Sequence, residues 1–449
     1  MINSIVRTDR WQLSPTPIQT EYLEQTEKMY RSYARALIGI IFTHFSQIAS
    51  ADSPCAAVEK LIHQTIKNPL PRYRYFSRKF YKFPSYLRRA VIQAAIGQVS
   101  SFVTRYNSWQ QGRRSRRDAL PPRLNAVTSL HTVLYRGQCI LFEDDSVQIK
   151  VFDGKQWGWE RIAVVKRRER HLLPNTKSLS PSLVINRKGV FLAVPFEVTS
   201  PKLGKPQLVC GVDLGLNTIA VASIVSPDGT VTARKFFNSC AADIDRRDKR
   251  LQAIRHKARL TMGKTGKLYK GFCKSIYRKA QNINRQICQM VSKQLITWAQ
   301  SQGATVIVFE NLKSWRPKGG PKGSTLRQRF HGWLKSRLVQ LTIDKFTELG
   351  GKVEFVFPRG TSSYAYDGSG KLQRDSKNYA LAKFKSGKRY NCDLSASYNV
   401  AARFWIKQKP TRRNHSGSVP SKSSRTEPRM PDLLCSLWSQ MPRLYFVRN

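Results

Sequence analysis

The stretch "LVCGVDLGLNTIAVASIV", residues 208–225, reads as two apolar strands joined by a short turn, with Asp213 at the end of the first. A buried, unpaired carboxylate costs several kcal/mol or neutralises itself. Either Asp213 caps its own turn, or something positive comes to meet it. Two further carboxylates occupy similar positions. Glu310 ends the apolar run "ATVIVFE" (304–310), and Asp393 stands before "LSASYNVAARFWI", which reads as a helix with small residues on its first turns. Each has a plain structural reading: a turn cap, the first exposed residue after a strand, a helix N-cap. Taken together they say more. Neighbouring strands would present Asp213 and Glu310 side by side, and like charges that close raise each other's pKa unless a cation joins them. Hard oxygen ligands suit Mg2+ or Mn2+ rather than Zn2+. A pair of such ions can activate water and stabilise the leaving oxygen of a phosphodiester.

The rest of the chain points to a polyanionic substrate. Of 449 residues, 78 are Lys or Arg and 28 are Asp or Glu, for a formal net charge of +50. Charge of one sign on that scale strains the compact state unless a polyanion neutralises it, which implies nucleic acid. The length suggests two to four units. The longest apolar run, "ALIGIIF" (36–42), is far short of a membrane span, and "MINSIVRTDRWQ" has no signal-peptide core, so no membrane is expected. Eight cysteines, at 55, 139, 210, 240, 273, 288, 392 and 435, include no CxxC pair. Neither a disulfide framework nor a cysteine zinc site is indicated, and a reducing cytoplasm fits.

Along the chain, residues 1–15 are extended. Thr16, Pro17 and Gln19 form a helix-start signature, and helical patterning runs to about 106. The basic stretch "QQGRRSRRDALPPR" (110–123) marks a boundary. Residues 126–200 alternate in an all-β style and suggest a small barrel. From 207 the pattern is mixed. Strands are expected at about 207–213, 218–225 and 230–236, then a basic helical region over about 242–302. A strand at 304–310, a helix over about 325–349, a strand at 352–357 and a helix over 393–406 follow. The tail 407–449 is rich in Pro, Ser, Lys and Arg and is expected to be disordered, at least to about 431.

Three segments, "GVDLGLNTIAVAS", "IVFENLK" and "YNCDLSASYNVAARF", resemble the three motifs of a RuvC nuclease domain in the order used by TnpB proteins, the transposon-encoded, RNA-guided DNA nucleases related to type V CRISPR effectors. The resemblance is strongest over about 207–405. It implies a multidomain α/β chain: an RNase H-like RuvC domain over 207–406, a helical recognition lobe over 16–120, and a β-barrel wedge domain over 121–206 whose first strand is 1–15. It assigns the catalytic, metal-binding carboxylates to Asp213, Glu310 and Asp393, with Mg2+ or Mn2+ as cofactor. The implied partners are a guide RNA and a double-stranded DNA target with a short adjacent motif, and a transposase encoded nearby would fit. The implied setting is the prokaryotic cytoplasm, at the nucleoid. Arg88, Arg89 and Gln93 on the helix "SYLRRAVIQAAIGQVSSF", with Arg113 and Arg114 beyond it, are candidate nucleic-acid contacts; ordinary solvent exposure is the alternative.

The chain departs from the family between the second and third motifs. TnpB proteins usually carry a four-cysteine zinc ribbon there. The matching insertion, about 358–392, has only Cys392, and a structural zinc site needs four ligands, so no zinc is expected. Tyr364, Tyr366, Tyr379, Phe384 and Tyr390 would form a metal-free core, or the segment is a mobile loop. The glycine-rich, basic "SWRPKGGPKGSTLRQRF" (314–330) would clamp or gate the site, or simply connect. Three rivals to a TnpB-type nuclease remain: a compact type V CRISPR effector, an RNA-guided protein that binds DNA without cutting, and a guide-free resolvase or RNase H-type enzyme.

Overall fold

A computed structural model describes residues 4–121, 130–166, 176–201, 203–216, 218–262, 266–312, 334–408 and 432–438. The chain divides into two compact units, Ser4–Thr199 and Ser200 onward. The segment 314–330 lies outside the described residues. Among the described residues no helix is long and apolar enough to cross a membrane.

The first unit begins with β1 (Ser4–Ser14), then α1 (Pro17–Thr43), α2 (Phe45–Ala49), α3 (Pro54–Ile62), α4 (Tyr75–Lys79) and α5 (Ser85–Gln110). Seven strands complete it: β2 (Thr132–Val133), β3 (Ile140–Phe142), β4 (Ser146–Phe152), β5 (Trp157–Lys166), β6 (Thr176–Ser178), β7 (Ser182–Asn186) and β8 (Gly189–Thr199). The start of α1 is where the sequence places it. Thr16 Oγ1 accepts from Gln19 N at 3.2 Å and Gln19 Oε1 accepts from Thr16 N at 3.1 Å, a reciprocal capping box with Pro17 in the first turn. Gln19 Nε2 also donates to Glu160 Oε2 and to the Arg161 carbonyl, so the cap ties α1 to β5.

The strands form one antiparallel sheet in the order β2-β7-β8-β1-β5-β4-β3, with β6 on β8. Strand β1 pairs with β8 from Ser4–Thr199 to Gln12–Phe191, so the first strand of the chain lies within the sheet. The sequence suggests a barrel, but the strand pairing is open. Its end strands, β2 and β3, are two and three residues long and do not pair with each other among the described residues. The helices and the sheet share one hydrophobic core, which runs from Trp11 through Leu37 and Val91 to Phe196.

The second unit is built on β9 (Val209–Asp213), β10 (Ala220–Val225), β11 (Val231–Phe237), β12 (Val306–Glu310) and β13 (Lys352–Val356), in the order β11-β10-β9-β12-β13. The first three strands are an antiparallel meander; β12 runs parallel to β9, and β13 parallel to β12. The basic helical region is two helices, α6 (Ala241–Met262) and α7 (Lys274–Ser301). Of the helix expected over about 325–349, the described part is α8 (Lys335–Glu348). Both faces of the sheet are covered, which is why β9 and β12 read as continuous apolar runs rather than as alternation. Cys210, Val212, Ile307 and Phe309 face α7 and α8. Val209, Val306 and Val308 face α9 (Cys392–Gln408).

The insertion before α9 is a small antiparallel sheet of β14 (Gln373–Arg374), β15 (Leu381–Lys383) and β16 (Arg389–Asn391). Its core is Ala365, Ala382, Phe384 and Cys392, with Tyr366 and Tyr390 packed against it. The Tyr366 ring lies 5.8 Å from Phe384 and 5.3 Å from Tyr390. Of the five aromatics expected in this core, Tyr379 instead stands 67% exposed, and Tyr364 lies outside the cluster. In the tail, the described residues 432–438 include α10 (Cys435–Trp438) and are seated on the second unit. Leu433, Leu434 and Leu437 are buried, and Leu434 N donates to Asn399 Oδ1 at 3.0 Å. These leucines give an anchor to a tail whose first part, residues 407–429, is polar.

Candidate active site

Parallel pairing brings two carboxylates together. The register of β12 on β9 runs from Val306 opposite Val209 to Phe309 opposite Val212. The next residue of each strand, at the carboxyl end of the sheet, is Glu310 and Asp213. Such strand ends are where sites form in sheets of this kind, because side chains there leave the covered interior.

The third carboxylate arrives on a helix. Asn391 Oδ1 accepts from the backbone N–H of both Asp393 and Leu394 at 3.0 Å, so Asn391, not Asp393, caps α9. The Asp393 carboxylate is thereby left for the cleft. The helix can lie this close to β9 because the residues at the contact are small. A Cβ on Gly211 would stand 2.3 Å from the Ser397 carbonyl and 2.7 Å from the Ala401 Cβ. Ser223 Oγ and Ser397 Oγ hydrogen-bond across the same contact, and Trp405 Nε1 donates to the Val225 carbonyl at 3.0 Å.

Polar residues on α9 hold the loop that forms the other wall. Asn399 is fully buried; its Nδ2 donates to the carbonyls of Thr361 and Tyr364 at 3.0 and 3.2 Å. The Arg403 guanidinium donates to the carbonyls of Phe357, Arg359 and Asp432. Thr361 Oγ1, held in this way, donates to Glu310 Oε1.

The result is a cleft of ≈ 750 Å³ whose lining includes Asp213, Glu310, Asp393, Arg359, Arg374 and Tyr379. Asp213 is only 7% exposed. Burial, then Glu310, then Asp393 push its pKa well above the carboxylate range, and Arg374 opposes them. Burial raises Glu310 against the hydrogen bond from Thr361 and the charge of Arg403. Burial raises Asp393 against Arg374. The positive partner that Asp213 calls for is thus supplied in part by Arg374, which comes from β14 of the insertion. Its Nη2 donates to the Ser362 carbonyl and its Nη1 to that of Tyr379, both at 3.3 Å. Two guanidinium groups, Arg374 on Asp213 and Asp393 and Arg403 on Glu310, do not balance three carboxylates in a buried cleft, and the surplus of hard oxygen donors fits a divalent cation. Among the described residues no group of three or more Asp, Glu, His or Cys closes on a single point as a metal ion would require. Asp213 is the carboxylate whose pKa both of the others raise.

The remaining sequence candidates lie in the first unit. Arg88 is half-buried, with Nε 3.3 Å from Glu59 Oε1, so its charge is already met. Arg89, Gln93, Arg113 and Arg114 are exposed; the Arg89 guanidinium lies 5.6 Å from the Tyr86 ring centroid, and Gln93 Oε1 accepts from Tyr135 Oη. Sequence reasoning missed Thr361, Arg374, Asn399 and Arg403. Asn399 and Arg403 had a signal, as the polar residues within "YNVAARFW" (398–405), which is otherwise aromatic and aliphatic. Arg374 had none.

A family model described as the Aq_aa04 family matches residues 7–153. No curated protein matches the chain. Among solved structures, the chain is similar to Cas12f1 in its complex with sgRNA and target DNA, at 14% identity and a TM-score of 0.51, over 84% of this chain and 81% of that one. It is also similar to the mini-RNA-guided endonuclease CRISPR-Cas_phi3, at 12% identity and a TM-score of 0.52, over 90% of this chain and 92% of that one. At these identities the likeness establishes the fold: a mixed α/β chain of more than one unit, built like these two proteins over most of its length.

Proposed function

We propose that the chain is an RNA-guided DNA endonuclease of TnpB type, cutting by metal-dependent phosphodiester hydrolysis at a single RuvC site. The observation that carries this reading is the convergence of Asp213, Glu310 and Asp393, from two parallel strand ends and one capped helix, on one cleft of a chain with net charge +50. The strand order β11-β10-β9-β12-β13, with an antiparallel meander followed by two parallel strands, supports an RNase H-like domain. Asp213 and Glu310 would hold one Mg2+ or Mn2+, and Asp213 and Asp393 a second. Bound there, such ions supply an activated water and a stabilised leaving oxygen. The chain's own residues do the rest. Thr361 orients Glu310, and Asn391 orients Asp393 by taking over the helix cap. Arg359 and Arg374, exposed at the cleft, offer charge to the phosphates on either side of the cut.

In this reading the unit Ser4–Thr199 supplies the recognition lobe and wedge. It reads a short target-adjacent motif with exposed residues such as Arg89, Gln93, Arg113 and Arg114, while base pairing to the guide supplies the remaining specificity. A compact type V CRISPR effector is the second reading, favoured by the nearly end-to-end match to CRISPR-Cas_phi3. One experiment separates them: purify the protein from cells carrying its native flanking DNA and sequence the RNA that accompanies it. A dominant RNA from the boundary of a mobile element supports the TnpB reading. Processed repeat-derived RNA moves the protein to the CRISPR class, and soluble protein with no enriched RNA contradicts RNA guidance.

A further inference from the structure

From Lys60 to Arg117 the chain has no Asp or Glu. Within that span lies "RYRYFSRKFYKF", residues 72–83, in which basic and aromatic residues alternate. The structure sorts them. Phe76, Phe80 and Phe83 are buried and pack around Tyr33, with ring centroids 5.0, 4.4 and 4.7 Å from it. Tyr73 is fixed at both ends: its N–H donates to the Leu61 carbonyl at 2.8 Å, and its hydroxyl lies 2.8 Å from His44 Nε2. The other aromatics face outward, Tyr75 at 50% and Tyr81 at 73% exposure. Arg72, Arg74, Arg78, Lys79 and Lys82 are exposed around them. Lys79 Nζ lies 5.3 Å from the Tyr75 ring centroid, and Lys82 Nζ 5.4 Å from that of Tyr81. Lys82 holds a φ of +55°, a left-handed conformation disfavoured for a side-chain-bearing residue, at the turn that lifts Tyr81 clear of the core. Beside this turn is a cleft of ≈ 290 Å³ lined by His63, Phe76, Phe80, Tyr81, Lys82 and Arg88, among others.

We propose that residues 72–83 and the cleft beside Tyr81 form a binding site for single-stranded nucleic acid, which takes unstacked bases on Tyr75 and Tyr81 and the flanking phosphates on the surrounding arginines and lysines. Two exposed rings on a rigid aromatic base lose little freedom on stacking. Every base has a π-face, so the site tolerates sequence. Charge complementarity favours an anionic occupant: the five cations within residues 72–83 have no carboxylate among them, and Glu59, beside the cleft, is already paired with Arg88. His63 and Arg88 line the cleft where the edge of an inserted base would lie. Burial, then the charge of Arg88, lower the His63 pKa, which keeps its ring neutral and able to accept as well as donate. The surface shares no residue with the carboxylate cleft, so this inference does not rest on the nuclease reading.

The test uses the full-length protein freed of nucleic acid, with EDTA present so that nothing is cut, at salt high enough to suppress non-specific contacts. Short single-stranded RNA and DNA oligonucleotides carrying 5-iodouracil are cross-linked, and the attached peptide is mapped. The expected result is cross-linking to Tyr75 or Tyr81 by at least one oligonucleotide, with RNA against DNA identifying the source, and none by a duplex of the same sequence. Tyr75→Ala with Tyr81→Ala should weaken binding roughly tenfold or more. The Phe versions should retain it, and thermal unfolding should stay unchanged because both rings are exposed. Cross-links confined to other segments, equal cross-linking by the duplex, or unchanged affinity in the double alanine variant would each overturn the proposal.

Discussion

At the scale of the residue, Asp213 carries most of the meaning. Its place at the end of an apolar strand was legible, and so was its need for a partner. What meets it was not, because Arg374, like the Thr361 that donates to Glu310, comes from a polar insertion without periodicity. The reading of Asp393 as a helix N-cap fails for a local reason: Asn391, two residues earlier, has the better geometry for both N–H groups. Asp213 also makes a prediction about pH. Its folded pKa is raised above an unfolded value of about 3.9. Between those two values the native protein holds a proton that the unfolded chain has released. The metal-free protein therefore loses stability as pH rises through that window, by about 1.4 kcal/mol per pH unit. Glu310 and Asp393 act in the same direction. Thermal unfolding in EDTA, followed upward in pH from just above the unfolded value of about 3.9, should show this decline. Asp213→Asn should flatten it and raise the midpoint at neutral pH, while Mg2+ or Mn2+ should stabilise the wild type more than the variant. An identical pH slope in the two proteins would refute the assignment.

At the scale of the element, α9 decides whether the three carboxylates share a site. Its small residues could be read from "DLSASYNVAARF", but their purpose needs the partner strand. Gly211 leaves no room for a Cβ, and the helix backbone occupies that space. Gly211→Ala should therefore cost about 3 kcal/mol in chemical denaturation. It should also reduce cutting further than the loss of folded protein explains, since moving α9 moves Asp393 relative to Asp213. A variant as stable as the wild type would show that the contact yields without strain. The five strands β9 to β13 were legible, because short apolar runs covered on both faces leave little choice, whereas the division of the basic helical region into α6 and α7 and the strands β14 to β16 were not. Nor was the seat of residues 432–438, since Leu433, Leu434 and Leu437 form too short an apolar group, beside a polar stretch from 407 to 429, to announce a buried anchor.

At the scale of the whole molecule, net charge is the property that sequence states most plainly and locates least. A charge of +50 names a polyanion without saying where it lies. The acid-free span from Lys60 to Arg117 shows as a surface only once folding separates exposed Tyr75 and Tyr81 from buried Phe76 and Phe80. Binding dominated by phosphate contacts should weaken steeply with salt, with a log–log slope of about −0.7 per phosphate for a single strand. Fluorescence anisotropy across a salt series should show that slope unchanged by Asp213→Ala, since the cleft carboxylates neutralise no phosphate. A shallow slope would mean that the charge serves something other than nucleic acid.

The most direct test of a metal-dependent, guided nuclease is cleavage by the purified ribonucleoprotein. The target is a plasmid library that matches the copurified RNA beside a randomised motif. The wild type should cut in Mg2+ and not in EDTA. Asp213→Ala, Glu310→Ala and Asp393→Ala should each abolish cutting while retaining the RNA. Cutting that survives Asp213→Ala, or loss of RNA from all three variants, would contradict the account.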